Sequence, residues 1–320
     1  MKNSIAATLP TRGYHARMRV YLREMYPPLS RLATASLACV SFLLLLGPIA
    51  GPRAVSLSAC TPVGIWTLFA LTLILRLMDE LKDRDIDRRL FGDRPLPSGK
   101  VKESDIRFSL LLVCASLLIP NMVSGQLFLF SALLLGYAVL MYHYFFVPAA
   151  WHKYLLLNLA THNPIVPIMF IYVVVLFAVQ SGIPLSALPW STIILVVAMY
   201  WSLFMGWEIA RKIRHTKEET EYITYSKIFG RTAATVIVFT VQVGAVVIGV
   251  YLYYALSLSE VFLAVVVKGG LALACGYIAF LTGRIKSGKK LRLLAEGYAV
   301  TIMLAPVWEL AALPVVRHAL

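Results

Sequence analysis

Carboxylates are scarce in this chain. Of 320 residues only 16 are Asp or Glu, and charged residues of both signs make up 14%. So thin a polar coat excludes a soluble globular domain, because 59% of the residues are hydrophobic and mean hydropathy reaches +0.77. Cysteine is nearly absent as well. The four thiols, Cys39, Cys60, Cys114 and Cys275, lie in or beside apolar runs without metal-ligand spacing. They read as small hydrophobes and exclude a disulfide framework or a zinc site. Clear repeats, low-complexity tracts and long linkers are missing too, so nothing divides off a second soluble domain. The first 31 residues lack the apolar core of a secretory signal peptide. They are Arg-rich and acid-poor, and read as a cytoplasmic arm along the membrane, a transit peptide being the other reading. Residues 32–320 then form one transmembrane domain.

What the chain has in abundance is apolar runs near bilayer-spanning length. About nine spans are expected in an all-α, polytopic membrane bundle. They fall near Leu32–Ala50, Pro62–Met78, Phe108–Met122, Leu127–Phe146, Tyr154–Val179, Trp190–Trp207, Ala233–Leu256, Val261–Gly283 and Leu294–Val315. The fifth carries Pro164 and Pro167 and is expected to kink. Net charge is +14, which in a soluble protein would suggest nucleic acid. Here 26 of the 30 Lys and Arg fall in the N-terminal arm and in alternate connections between spans, and only Arg53 and Arg317 on the opposite side. That asymmetry excludes a nucleic-acid partner as the reason for the charge. It places the arm and the two large polar loops in the cytoplasm, as in a multi-pass protein of a bacterial inner membrane or its equivalent.

Six of the 16 acids crowd into "LRLMDELKDRDIDRRLFGDRPLPSG", Leu75–Gly99, where the second span ends. Asp79, Asp83 and Asp87 are spaced i, i+4, i+8, and Glu80 is three residues before Asp83. If the span continues as a helix, these four share one face while Asp85 points away. Like charges at that spacing cost roughly 0.2–0.5 kcal/mol per pair. A divalent cation reverses the sign, and Mg²⁺ takes carboxylates with water and phosphate oxygens. A salt-bridged, solvated helix end, neutralised by Lys82, Arg84, Arg88 and Arg89, is the competing reading. The Gly/Pro-punctuated turn "FGDRPLPSG" can hold Arg94 against the acids, which makes a diphosphate receptor of them.

"DELKDRDID" followed by "DRPLPSGKV" resembles the first aspartate-rich motif of the UbiA superfamily of intramembrane prenyltransferases. That motif usually reads NDxxDxxxD and then RPxxxG. Asp83 and Asp87 match its second and third aspartates, Glu80 stands where the first is expected, and Asp79 where the asparagine is. The resemblance implies a Mg²⁺ site on Asp79, Glu80, Asp83 and Asp87, and catalytic roles for Asp83, Asp87 and Lys153. It implies a prenyl diphosphate whose ionised prenyl group is joined to a lipophilic acceptor within the membrane lipid.

The second loop, "WEIARKIRHTKEETEYITYSKIFGRTAA", departs from the family. A DxxD-type motif is expected there, but its aspartates are replaced by residues such as Lys212 and His215, with Glu218, Glu219 and Glu221 slightly later. Arg211 and Lys212 can meet diphosphate oxygens directly, as can Arg94 and Lys153. Arg211, Lys212 and Arg214 as simple positive-inside anchors is the alternative. Polar residues within spans usually face a cavity, so Asn158, His162 and Asn163 are expected inside the bundle. Asn158, His162 and Glu208 are the candidates for the prenyl or acceptor pocket. For His162 an interhelical hydrogen bond is the structural reading. Lys268 reads as a lone buried cation that snorkels or pairs with Glu296 or Glu309. Two rivals stand beside the transferase: a membrane terpene cyclase using the same site without an acceptor, and a transporter. Acids clustered at the membrane face rather than at mid-span argue against the transporter.

Overall fold

The computed structural model describes residues 13–51, 57–146 and 155–317, with side chains as far as Glu309. Every regular element among the described residues is helical. Among the described residues eight helices are long and apolar enough to cross a membrane, so the chain is a multi-pass integral membrane protein. The expected span at Phe108–Met122 is not among the eight. It lies in a helix that begins with the charged turn around Glu103, Asp105 and Arg107, leaving an apolar stretch shorter than a bilayer core requires. With it, the described residues form nine long helical segments, in line with the expected bundle.

Contacts gather the chain into two units that divide α2 (Pro28–Ala50) and α3 (Thr61–Lys82) between them. The first unit takes the chain to Ala35 and from Ile65 to Tyr142. It holds α1 (Tyr14–Met25), most of α3, α4 (Arg84–Leu90), α5 (Glu103–Asn121) and α6 (Gly125–Tyr142). Helix α1 is the described part of the N-terminal arm, and it is fastened rather than loose. The Arg17 guanidinium forks onto Asp105 of α5 at 2.6 and 2.7 Å, and Tyr14 shares a hydrogen bond with Ser109 at 2.8 Å. Asp105 also accepts the Lys102 amide at 2.9 Å, capping α5 with the carboxylate that holds α1. Just after α1, the Tyr26 hydroxyl reaches the Phe69 carbonyl at 2.9 Å, tying the arm to α3.

The second unit takes Ser36–Gly64 and His143 onward. It contains α7 (Leu155–His162), α8 (Ile165–Ser181), α9 (Trp190–Ala210), α10 (Tyr225–Phe229), α11 (Arg231–Leu256), α12 (Glu260–Leu281) and α13 (Gly288–Arg317). The fifth span breaks between α7 and α8 at Asn163–Pro164, as the prolines predict; Pro167 sits in the first turn of α8, where its missing N–H costs nothing. Phe42, Phe170 and Tyr200 pack ring to ring with centroids 4.8–5.0 Å apart, joining α2, α8 and α9. The Tyr200 hydroxyl donates to Ser41 at 2.8 Å. A second polar node lies on Gln242 of α11, which is fully buried. Tyr277 of α12 donates to its side chain, and Tyr298 of α13 to its carbonyl at 3.0 Å. Lys268 is exposed on α12 rather than buried, and Glu309 accepts the Ser259 amide at 3.0 Å as a cap for α12. A long amine on a lipid-facing helix reaches the interface without an acid beside it.

Candidate functional site

Helix α3 carries its apolar run to Met78 and closes in charge. Lys82 donates to the Met141 carbonyl at 3.0 Å, fixing the end of α3 against the end of α6. The expected continuous helix is not found. Asp83 stands between α3 and α4 with φ −94° and ψ 12°, so the chain bends there. Asp favours such breaks because its side chain competes for local backbone groups. The four-residue register nevertheless survives the bend. The amides of Asp83 and Asp87 bond to the carbonyls of Asp79 and Asp83, both at 2.9 Å.

The four expected ligands lie at different depths, and two of them differ already within α3, before the bend. Glu80 and Asp87 are buried at 1% and 5% exposure, Asp83 is half-buried, and Asp79 is exposed. Glu80 is held by Arg76 of the same helix, one turn earlier. Its other oxygen, Oε2, is buried without a hydrogen-bond partner, as are Arg76 Nε and the Tyr21 hydroxyl of α1. Burial first, and then the Glu80 carboxylate, push the Tyr21 phenol well above its ordinary value. Asp87 Oδ2 accepts from Arg94 Nη1 at 2.7 Å, and the Arg94 guanidinium lies 3.9 Å from the Phe91 ring centroid.

Arg94 arrives there through the turn. Its amide bonds to the Phe91 carbonyl at 3.0 Å, Ser98 closes back on the Arg94 carbonyl at 2.9 Å, and Val101 on Pro95 at 3.1 Å. Gly99, at φ +76°, lets the chain reverse into α5. The buried Val101 anchors the far side.

Among the described residues no three His, Cys, Asp or Glu side chains converge as a ready-made metal shell. The donors still suit Mg²⁺, which takes one or two protein carboxylates and completes its shell with water and phosphate oxygens. Glu80 Oε2 is an orphaned hard-oxygen donor, and Asp83, at the bend, and Asp87, one turn beyond it, keep their four-residue spacing.

The second loop folds around its own acids. Glu208, near the end of α9, accepts from Arg211 Nη2 at 2.8 Å and lies 3.2 Å from Lys212 Nζ. Both cations expected to meet a diphosphate are therefore paired within the loop. Glu219 accepts from Thr224 at 2.9 Å and from Ser226 at 2.5 Å. Glu218 accepts the amides of His215 at 3.1 Å and Gly288 at 2.8 Å. Those two carboxylates are committed to loop structure, and Glu221 is exposed. The Tyr225 amide bonds to the Lys212 carbonyl at 3.0 Å, bringing α10 back to the start of the loop. Its hydroxyl is buried without a partner, as is Trp207 Nε1.

Of the remaining candidates, Lys153 lies outside the described residues. Asn158 and His162 are half-buried on α7. His162 Nδ1 donates to the Asn158 carbonyl at 3.1 Å, a bond within its own helix. Its neighbour, the buried Asn163, makes an interhelical contact, its side-chain oxygen accepting from Trp201 of α9. Two residues of the first site escaped the sequence reading. Arg76 was legible from its i, i+4 spacing to Glu80, but Tyr21 is brought to them only by tertiary packing.

No protein-family model matches the chain, and no curated protein matches it in sequence. Solved structures do match. A UbiA homologue from Aeropyrum pernix K1 aligns with a TM-score of 0.67 at 16% identity, over 86% of this chain and 98% of that one. A digeranylgeranylglyceryl phosphate synthase aligns at 0.62 and 14% identity, over 92% and 98%. A Cd²⁺-bound UbiA homologue from Archaeoglobus fulgidus aligns at 0.51 and 12% identity, over 90% and 99%. Nearly the whole length of each is matched by this bundle, and the chain has the UbiA fold.

Proposed function

We propose that the chain is an intramembrane prenyltransferase of the UbiA superfamily, moving a prenyl group from a prenyl diphosphate to a lipophilic acceptor. The Asp87–Arg94 pair carries the reading. A buried carboxylate and the arginine returned to it by a Gly/Pro turn close the end of a membrane helix. The fold is shared with a digeranylgeranylglyceryl phosphate synthase.

In this reading Asp83 and Asp87 would hold Mg²⁺, with Glu80 Oε2 and Asp79 as further donors. The ion, when bound, would supply Lewis-acid neutralisation of the departing diphosphate. Arg94 orients the Asp87 carboxylate and offers its remaining guanidinium N–H groups to diphosphate oxygens. Arg211 and Lys212, with Lys153, add positive charge to the same leaving group. Asn158, His162 and Glu208 belong to the prenyl or acceptor pocket, where apolar helices keep water from the allylic cation. The loops face the cytoplasm, on the side that carries most of the Lys and Arg.

The test incubates purified protein with labelled geranyl, farnesyl and geranylgeranyl diphosphates, with and without Mg²⁺, and identifies products by mass. Mg²⁺-dependent diphosphate release with a prenylated acceptor is expected. A cyclic hydrocarbon or alcohol formed without acceptor would assign the same site to a cyclase. Transport of a labelled solute without diphosphate release would overturn the enzyme reading.

A further inference from the structure

A cavity of about 180 Å³ opens within the second unit, away from the acidic motif in sequence. Arg211 and Arg214 of the second loop line it, with Gly288, Lys289 and Arg292 from the first turns of α13. Every side chain in that lining except the glycine is a cation. The ion pairs of this region join Arg211 and Lys212 to Glu208, and among the described residues Arg214, Lys289 and Arg292 take part in none. Three charges thus face one concavity outside any ion pair, and the Glu218 carboxylate on its rim is taken up by the Gly288 amide and attracts only Arg214 among them.

The cavity is built by backbone, not by a chance meeting of long side chains. The Gly288 amide donates to Glu218 at 2.8 Å, locking the start of α13 onto the loop. A Cβ at position 288 would lie 2.3 Å from the Ile213 carbonyl oxygen and 3.2 Å from Arg214 Cα. Only glycine permits that approach, so the two basic segments are held face to face. Simple positive-inside anchoring requires no such interlock, since exposed Lys and Arg serve it anywhere along a loop. The start of α13 is already met by the Glu218 carboxylate, so the side-chain charges, not the helix end, supply the attraction for an anion.

We infer that this cavity is a phosphate-binding site, separate from the acidic motif, that takes a phosphate monoester or diester group. Two guanidinium forks and an amine suit tetrahedral phosphate oxygens. The group comes either from an anionic lipid headgroup or from a free phosphorylated molecule. The inference rests on Arg214, Lys289 and Arg292; Arg211 also lines the cavity and is shared with the diphosphate site proposed above, and the variants below leave it in place.

Full-length protein in a neutral detergent is titrated with short-chain phosphatidylglycerol, with glycerol 3-phosphate, and with phosphatidylcholine of the same chain length. The first probe is expected to bind more tightly than the third. The double variant K289Q/R292Q, at two exposed side chains, is expected to weaken binding by about tenfold. K286Q/K290Q removes the same charge from neighbours outside the cavity and is expected to leave affinity unchanged, and R214Q tests the loop side. Glycerol 3-phosphate binding as well as the lipid assigns a free phosphate; lipid binding alone assigns a headgroup. The inference is overturned if neither anion binds, if K289Q/R292Q and R214Q bind like the unaltered chain, or if K286Q/K290Q weakens binding equally.

Discussion

The loop after α3 and the loop after α9 each start from a glutamate near a helix end, and they pair it oppositely. In the first, Glu80 and Asp87 are buried and each holds one arginine, leaving the Glu80 Oε2 donor over. In the second, Glu208 alone holds Arg211 and Lys212, while Glu218 and Glu219 are taken up by amides and hydroxyls of the loop. An excess of buried carboxylate oxygen suits a cation. An excess of guanidinium suits an anion. The two loops therefore differ in what they can bind, although the motif resemblance implies a pair of acidic motifs.

The sharpest way to break that contrast is to remove the acid that holds Arg94. Asp87→Asn keeps the shape and cancels the charge. Diphosphate release is expected to fall on the order of 100-fold or more, in the range seen when one preorganised electrostatic contact to a transition state is lost. Asp83→Asn should act in the same direction. Unchanged release in both variants would remove the first loop from the chemistry.

Glu80 is the next test, because its two oxygens point to different roles. If its work is to neutralise Arg76, Glu80→Ala leaves a cation three-quarters buried and should destabilise the protein by about 2–3 kcal/mol. The double variant R76L/E80L should recover most of that loss, since a buried pair replaced by apolar groups is often neutral. Thermal unfolding in detergent separates the cases. A stable Glu80→Ala with weakened Mg²⁺ dependence would instead make Glu80 chiefly a ligand.

Lys212 tests the second loop. Lys212→Gln should raise the KM for prenyl diphosphate by about tenfold with a smaller change in kcat, as loss of one charge-assisted contact predicts. The comparison sharpens if Arg214→Gln, which touches only the basic cavity, leaves that KM alone.

Much of this was legible in the sequence for identifiable reasons. Membrane helices declare themselves by length and apolarity, and the Asn163–Pro164 break by its proline. The return of Arg94 followed from a turn with too much Gly and Pro to continue as helix. What local pattern could not supply was depth. Spacing placed Asp79, Glu80, Asp83 and Asp87 on one face, yet the neighbours Asp79 and Glu80 on α3 are exposed and buried, and the chain bends at Asp83 before the buried Asp87. Nor could it show that Glu219 turns to the hydroxyls of its own loop, which depends on how the loop folds. That Glu218 meets Gly288 and that Tyr21 lies beside Arg76 depends on contacts between residues far apart in sequence.

The smallest expected effect concerns how each loop is fastened, and it follows from pH. Burial alone would raise the Glu218 carboxyl, but the Gly288 and His215 amides outweigh it and hold the group below its usual range. In the first unit the Arg17 guanidinium holds Asp105 low in the same way. A carboxyl lowered on folding adds stability at pH values above its unfolded pKa, about 4, and loses it as pH falls through the folded value. Acid should therefore loosen the second loop from α13 and α1 from α5, while both stay fastened at neutral pH. Hydrogen exchange of the Gly288 and His215 amides reads the first event directly. Glu218→Gln should raise their exchange at neutral pH by a few-fold and flatten its further rise in acid, and Asp105→Asn should leave both amides untouched. If Asp105→Asn moved them as much as Glu218→Gln, the two fastenings would be one cooperative event, and the loops would share a single stability.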